Sequence, residues 1–153
     1  MAALAVALRI NPRHADAHGH LGSALVAAAG GDLESDDPEP DAGQLLPRAV
    51  EHLRAALRLR PAGPAAMEPL VNLCGAVLGL GRAAEAAGHC EAALAIDGRS
   101  ADAMVNLGAA LQALGKYPEA LERFQRAAGM DPTHAAARAN ADSLGGWLAS
   151  QRK

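Results

Sequence analysis

The sequence predicts an all-α chain made of repeated antiparallel helix pairs. Three observations carry that expectation. Alanine supplies 39 of the 153 residues; it is the best helix former and lets helix axes approach closely. The aromatic residues that strands prefer are reduced to Tyr117, Phe124 and Trp147, which argues against a sandwich, a barrel or a Rossmann sheet. Third, the pattern repeats itself: Asn72, Asn106 and Asn140 stand 34 residues apart, a period that marks a stacked-repeat architecture.

The clearest unit runs over 101–134, with Met104, Leu107, Gly108 and Leu111 on a first helix A and Ala120, Phe124, Ala127 and Pro132 on a second helix B. One step back, over 67–100, the same offsets hold Leu70, Leu73, Cys74, Val77, Ala86, Cys90, Ala93 and Gly98. A further unit spans 15–63, beginning with His18, Leu21, Gly22 and Leu25 and resuming at Ala49, Leu53, Ala56 and Pro61 after an insertion over 30–46. The ends of the B helices give the same register: Leu8-Arg9-Ile10-Asn11-Pro12, Leu57-Arg58-Leu59-Arg60-Pro61 and Leu94-Ala95-Ile96-Asp97-Gly98. Small residues at Gly108, Ala120 and Ala127 permit close helix packing, and large ones between them fill the gaps. Pro47 and Pro118 suit the first turn of a helix B, where no amide donor is needed. Pro12, Pro61 and Pro132 end it.

These residues resemble the tetratricopeptide repeat (TPR) pattern W-x2-L-G-x2-Y, A-x3-F, P. Met104 replaces the Trp and Leu111 the Tyr in the best unit, and Cys74 replaces the glycine of the second. The resemblance implies a right-handed α-solenoid filling a single domain, 1–153. It has about three full repeats (15–63, 67–100 and 101–134), a partial N-terminal repeat over 1–14 and a capping helix over 135–153. Residues 1–12 fit only a helix B, so the first repeat reads as truncated, the alternative being a single N-terminal helix that serves as a cap. In the last segment Arg138 and Asp142 take the Trp and Gly slots, giving the polar outer face a cap needs; Trp147 and Leu148 are expected to fold back on the last helix B.

In such arrays the A helices line a concave groove. Carried over residue by residue, the resemblance implies a peptide-binding groove of His20, Ser23, Asn72, Gly75, Asn106, Ala109, Gln112 and Asn140, with Asp16, Glu68 and Asp102 as an acidic rim. The asparagine series is similar to the ladder in the superhelical TPR region of O-GlcNAc transferases. An amide offers two donors and an acceptor, so a row of them suits the backbone of an extended peptide. The three acids lie in the first turn of each helix A, where the helix dipole favours negative charge; as groove residues they would mildly prefer basic segments. TPR proteins that grip the C-terminal carboxylate of chaperones use Lys, Arg and Asn on helix A. Here the slots hold Gly19, Val71 and Val105 besides the acids, so no such clamp is implied.

Charge and chemistry exclude other classes. The net charge is −3. Six acids without a base crowd residues 32–41, leaving about +3 on the remainder, so there is no field for nucleic acid. The insertion, rich in Gly, Pro and acids, reads as a solvated loop; Asp37 and Gly43 fall where an EF-hand needs its glycine and its bidentate Glu. His14, His18 and His20 do not converge as metal ligands: the register puts His14 in a turn, His18 in the core and His20 toward the groove. Cys74 and Cys90 fall on facing positions of one repeat; a disulfide is conceivable there, but buried free thiols are expected. There is no nucleophile elbow, Walker loop or HExxH. No apolar run is long enough for membrane insertion, and no signal peptide is evident, so a cytoplasmic setting is expected.

The function expected is a protein–protein interaction scaffold for an extended segment, without enzyme activity, cofactor or metal. The alternatives are the TPR portion of a larger enzyme resembling O-GlcNAc transferase, or a structural subunit of an assembly in which Arg54 and Arg58 meet an acidic partner. The oligomeric state is left open.

Overall fold

The computed structural model describes residues 1–30, 42–60 and 62–151. Among them are eight α-helices: α1 (Ala2–Ile10), α2 (Ala15–Ala29), α3 (Ala42–Leu59), α4 (Met67–Gly79), α5 (Ala83–Ile96), α6 (Ala101–Ala113), α7 (Tyr117–Met130) and α8 (Ala135–Ser150). A short 3₁₀ turn, Pro64–Ala66, precedes α4, and no strand occurs among the described residues. Each helix packs on its sequence neighbour. The A helices also touch one another, α2 on α4, α4 on α6 and α6 on α8, while no pair of B helices packs comparably. The A layer is therefore the inner one and the B helices splay outward. The protein is an α-solenoid whose core runs lengthwise. Leu21, Leu25, Leu45 and Ala49 pack with Leu4 and Leu8 at one end, and Met104, Phe124, Ala137 and Leu144 pack together at the other. No unit could bury its apolar face alone, so the stacking of neighbours makes the fold.

Sequence repetition becomes repetition of contacts. Between a helix B and the next helix A, the carboxamide or carboxylate of Asn11, Asp97 and Asp131 accepts from the backbone N–H two residues on, at 3.0, 2.9 and 2.9 Å. These Asx turns reverse the chain. Three residues after each, His14, Ser100 and His134 cap the next helix by accepting from the N–H of Ala17, Ala103 and Ala137, each at 3.2 Å. Within the second and third repeats, Gly81 and Gly115 turn from A to B at φ +76° and +75°, a backbone that costs an L side chain about 1–2 kcal/mol.

One A–B contact holds each hairpin together. A Cβ on Gly22 would lie 2.5 Å from Leu53 Cγ, and one on Gly108 would lie 2.6 Å from Phe124 Cε1. A glycine thus faces a large, fully buried side chain in the first and third repeats. The second repeat fills the same contact with Cys74 and Cys90, which are joined in a disulfide with their Cα atoms 5.5 Å apart. This corrects the expectation of free thiols. Two facing positions close enough to demand Gly against Leu or Phe are also close enough for two Cβ–Sγ arms to meet.

Two further expectations change at the insertion. Helix α3 starts at Ala42, so the last part of the 30–46 segment is helical and Pro47 lies inside α3 rather than in its first turn. Burial explains the extra turn: Leu45 is 6 % exposed within the N-terminal cluster, and Leu46 packs against Gly79. The acidic segment expected to be a loop falls on 31–41, outside the described residues. Pro118 does lie in the first turn of α7. Trp147 folds back as expected, its ring 4.8 Å from that of Tyr117.

Candidate functional site

The candidate site is the inner face made by α2, α4, α6 and α8. Ser23 is half-buried on α2; Asn72 of α4 donates to its Oγ at 2.7 Å. The Ser23 hydroxyl has one hydrogen, shared between the Gly19 carbonyl and Glu68 Oε1, both at 3.1 Å. Ser23, Asn72 and Glu68 thus form one chain of hydrogen bonds across the α2–α4 seam. On the next seam Asn106 donates from α6 to the Val71 carbonyl at 3.5 Å, at the long limit for such a bond. A Cβ on Gly75 would meet its Nδ2 at 3.6 Å, so the glycine leaves the amide room without being required for it.

The structure thus brings Ser23, Asn72, Gly75 and Asn106 together on adjoining seams. Asn140 continues the series on α8, half-buried, its side chain with no hydrogen bond among the described residues. Ala109 is half-buried and Gln112 exposed on α6. His20 is exposed beside a pocket of about 60 Å³ between α2 and α4, lined with Asp16, Gly19, Arg60, Glu68 and Pro69.

Two of the three rim carboxylates have basic partners. Arg60 grips both oxygens of Asp16, the longer bond at 3.2 Å. His134 uses Nδ1 to accept the capping bond, so its Nε2 carries the hydrogen and donates to Asp102 at 3.0 Å. Glu68 has only the Ser23 hydroxyl among the described residues. Sequence reasoning missed Arg60 and His134. A signal existed, since His134 stands 32 residues after Asp102 and Arg60 stands 44 after Asp16 with the insertion between, so both follow their acid by nearly one repeat.

The three N-terminal histidines diverge. His14 caps α2, His20 faces the pocket, and His18 pairs with His52 of α3, Nδ1 to Nδ1 at 2.9 Å. His18 Nε2 donates to the Pro12 carbonyl at 3.1 Å, so its Nδ1 accepts and His52 donates. Burial, then the charges of His18 and Arg48, lower the His52 pKa, against a smaller opposite pull from Glu51. Among the described residues no three His, Cys, Asp or Glu side chains gather as metal ligands, and no helix is long and apolar enough to cross a membrane.

A solenoid of helix pairs with a polar seam along its inner layer defines a helical-repeat protein. Residues 65–133 match the family model of the tetratricopeptide repeat, and solved structures similar to the chain are tetratricopeptide-repeat proteins. Among curated proteins none matches it. Similar solved structures include the TPR domain of Arabidopsis OM64, at 23% identity and a TM-score of 0.65, covering 82% of this chain and 93% of that one. The first TPR of Spaghetti (RPAP3), bound to the HSP90 peptide SRMEEVD, is 20% identical with a TM-score of 0.64, covering 86% and 95%. YrrB, a TPR protein with an unusual peptide-binding site, is 20% identical with a TM-score of 0.69, covering 96% and 66%. These likenesses carry the fold. They do not carry the narrower resemblance to O-GlcNAc transferases and give no support to an origin in a larger enzyme.

Proposed function

We propose that the chain is an interaction scaffold that holds an extended peptide along its inner face. The observation that carries this reading is the pair of amides on successive seams, Asn72 over α2–α4 and Asn106 over α4–α6. Each spends one N–H within the protein, so each keeps a second N–H and a carbonyl oxygen. Those are the groups that complement a peptide backbone without reading its side chains. Asn140 extends the row, and Ala109 and Gly75 leave space beside it. Peptide-bound relatives of the same fold support the reading. Glu68, with no basic partner among the described residues, adds a mild preference for basic segments.

The cystine bears on the setting as well. Disulfides persist in oxidising compartments and are rare in the reduced cytoplasm, so Cys74–Cys90 favours an oxidising compartment over the cytoplasm expected from the sequence.

The test is Asn72→Ala with Asn106→Ala, assayed against the tightest peptide from a random-peptide display selection. Affinity is expected to fall about tenfold or more, from two lost hydrogen bonds of about 1 kcal/mol each, with the helical signal intact. Unchanged affinity would remove the amides from the site.

A further inference from the structure

The outer face carries a feature that the inner groove does not use. Where α3 and α5 splay apart, a cleft of about 470 Å³ opens, lined by Arg54, Leu57, Arg58, Leu70, Leu73 and His89. Its floor is apolar, from Leu57 on α3 and Leu70 and Leu73 on α4. Its banks are basic, and no acid among the described residues lines it. A carboxylate of α5, Glu85, pairs with Arg54 and Arg82 and lies 3.5 Å from His89 Nε2. Burial pushes its carboxyl up, but the Arg54 hydrogen bond and the two guanidinium charges outweigh that and hold it below its usual range. Glu85 is therefore ionised and already matched. Arg58 is exposed and has no carboxylate partner among the described residues. The surplus is positive on a chain whose net charge is −3.

The repeat framework does not demand this arrangement. In the register of the B-helix ends, Arg54 and Arg58 correspond to Glu91 and Ala95 of the next repeat, and His89 corresponds to Arg123. The same place between α5 and α7 thus has an acid and a methyl where this cleft has two guanidinium groups. Packing explains the leucines, whose counterparts are Leu94, Met104 and Leu107, but not the arginines.

We propose that the α3–α5 cleft is a second docking surface, for an acidic segment of a partner protein that seats an apolar side chain on Leu57 and Leu70 between Arg54 and Arg58. Charge complementarity selects that occupant. Guanidinium groups pair carboxylates bidentately, and an apolar floor rewards a leucine-sized side chain. Nucleic acid is disfavoured, because two arginines over an apolar floor on an acidic chain make few phosphate contacts. The surface lies on the outer layer, so a ligand in the inner groove and a partner in the cleft bind together.

The experiment uses the whole chain and a fluorescein-labelled peptide of repeating Leu-Glu-Glu units, followed by anisotropy, with Leu-Gln-Gln as its uncharged counterpart. The acidic peptide is expected to bind, to weaken with salt, and to weaken about tenfold in Arg58→Glu, with a smaller loss in Arg58→Gln. Both substitutions are at an exposed helical position, and circular dichroism checks their fold. Asn72→Ala with Asn106→Ala should leave this binding unchanged. Absence of binding, equal binding of the Leu-Gln-Gln peptide, indifference to Arg58→Glu, or loss in the asparagine double variant would each overturn the proposal. Displacement by an oligo-dT strand at lower concentration than unlabelled peptide would overturn the choice of occupant.

Discussion

Gly108→Ala tests the packing argument most directly. In an open helical position the change stabilises, by about 1 kcal/mol, because glycine is the poorer helix former. Here the added methyl carbon would lie 2.6, 2.8 and 3.0 Å from three ring atoms of Phe124. That ring is fully buried, so relief must come from moving α6 away from α7. Overpacking of this kind costs about 1–3 kcal/mol, and the helix-propensity gain offsets part of it. The net expectation is a loss of about 1 kcal/mol, or roughly 2–4 °C in Tm for a chain of this size, read from thermal melts by circular dichroism. Gly88→Ala is the control: it lies mid-helix on α5 with nothing within 4 Å of the added carbon, and it should raise Tm. The cycle with Phe124→Ala sharpens the test. Once the ring is gone, adding Gly108→Ala should turn from harmful to helpful. A Gly108→Ala protein as stable as the parent, or the same sign in both backgrounds, would refute the close-contact account.

Other expectations follow from the remaining contacts. The native chain should show no free thiol when unfolded without reductant, and Cys74→Ala with Cys90→Ala should cost about 3 kcal/mol for a loop of this length; a titre of two thiols would remove the cystine. Burial, His18 and Arg48 hold the His52 pKa below its ordinary 6.5, so the folded state binds fewer protons there than the unfolded chain. That contribution is whole above pH 6.5 and shrinks as pH falls through 6.5 toward the folded pKa. His52→Gln should flatten this part of a stability–pH curve, and an unchanged slope would contradict it. Amidating the carboxyl end of SRMEEVD should not alter its interaction with this chain, since Gly19, Val71 and Val105 offer no cation to a terminal carboxylate. A clear loss on amidation, measured by calorimetry, would reveal a clamp.

Much of the fold was legible because it is periodic. Gly22, Cys74 and Gly108, or Ala49, Ala86 and Ala120, recur at one register and answer one local demand: helices that must approach closely. The cap residues went unread, although Asx turns and N-caps depend on neighbours a few residues away. The site was less legible. The register put Asn72 and Asn106 on one face, but not the Ser23 hydroxyl that Asn72 binds across a separation of 49 residues. Nor did it give the Arg60 grip on Asp16, which crosses an insertion of irregular length.

What the sequence alone determined, then, is the class of the molecule: helix, turn and helix at a constant period, with small residues where axes must meet. Those are short-range preferences, and thirty-odd residues are enough to express them. Tertiary structure decided the rest. It turned two facing cysteines into a cystine, drew Ala42–Leu46 into a helix through the burial of Leu45 and Leu46, and opened a basic cleft where α3 and α5 part. Each of these depends on the separation between elements distant in the chain, and the stacking of whole hairpins sets that separation.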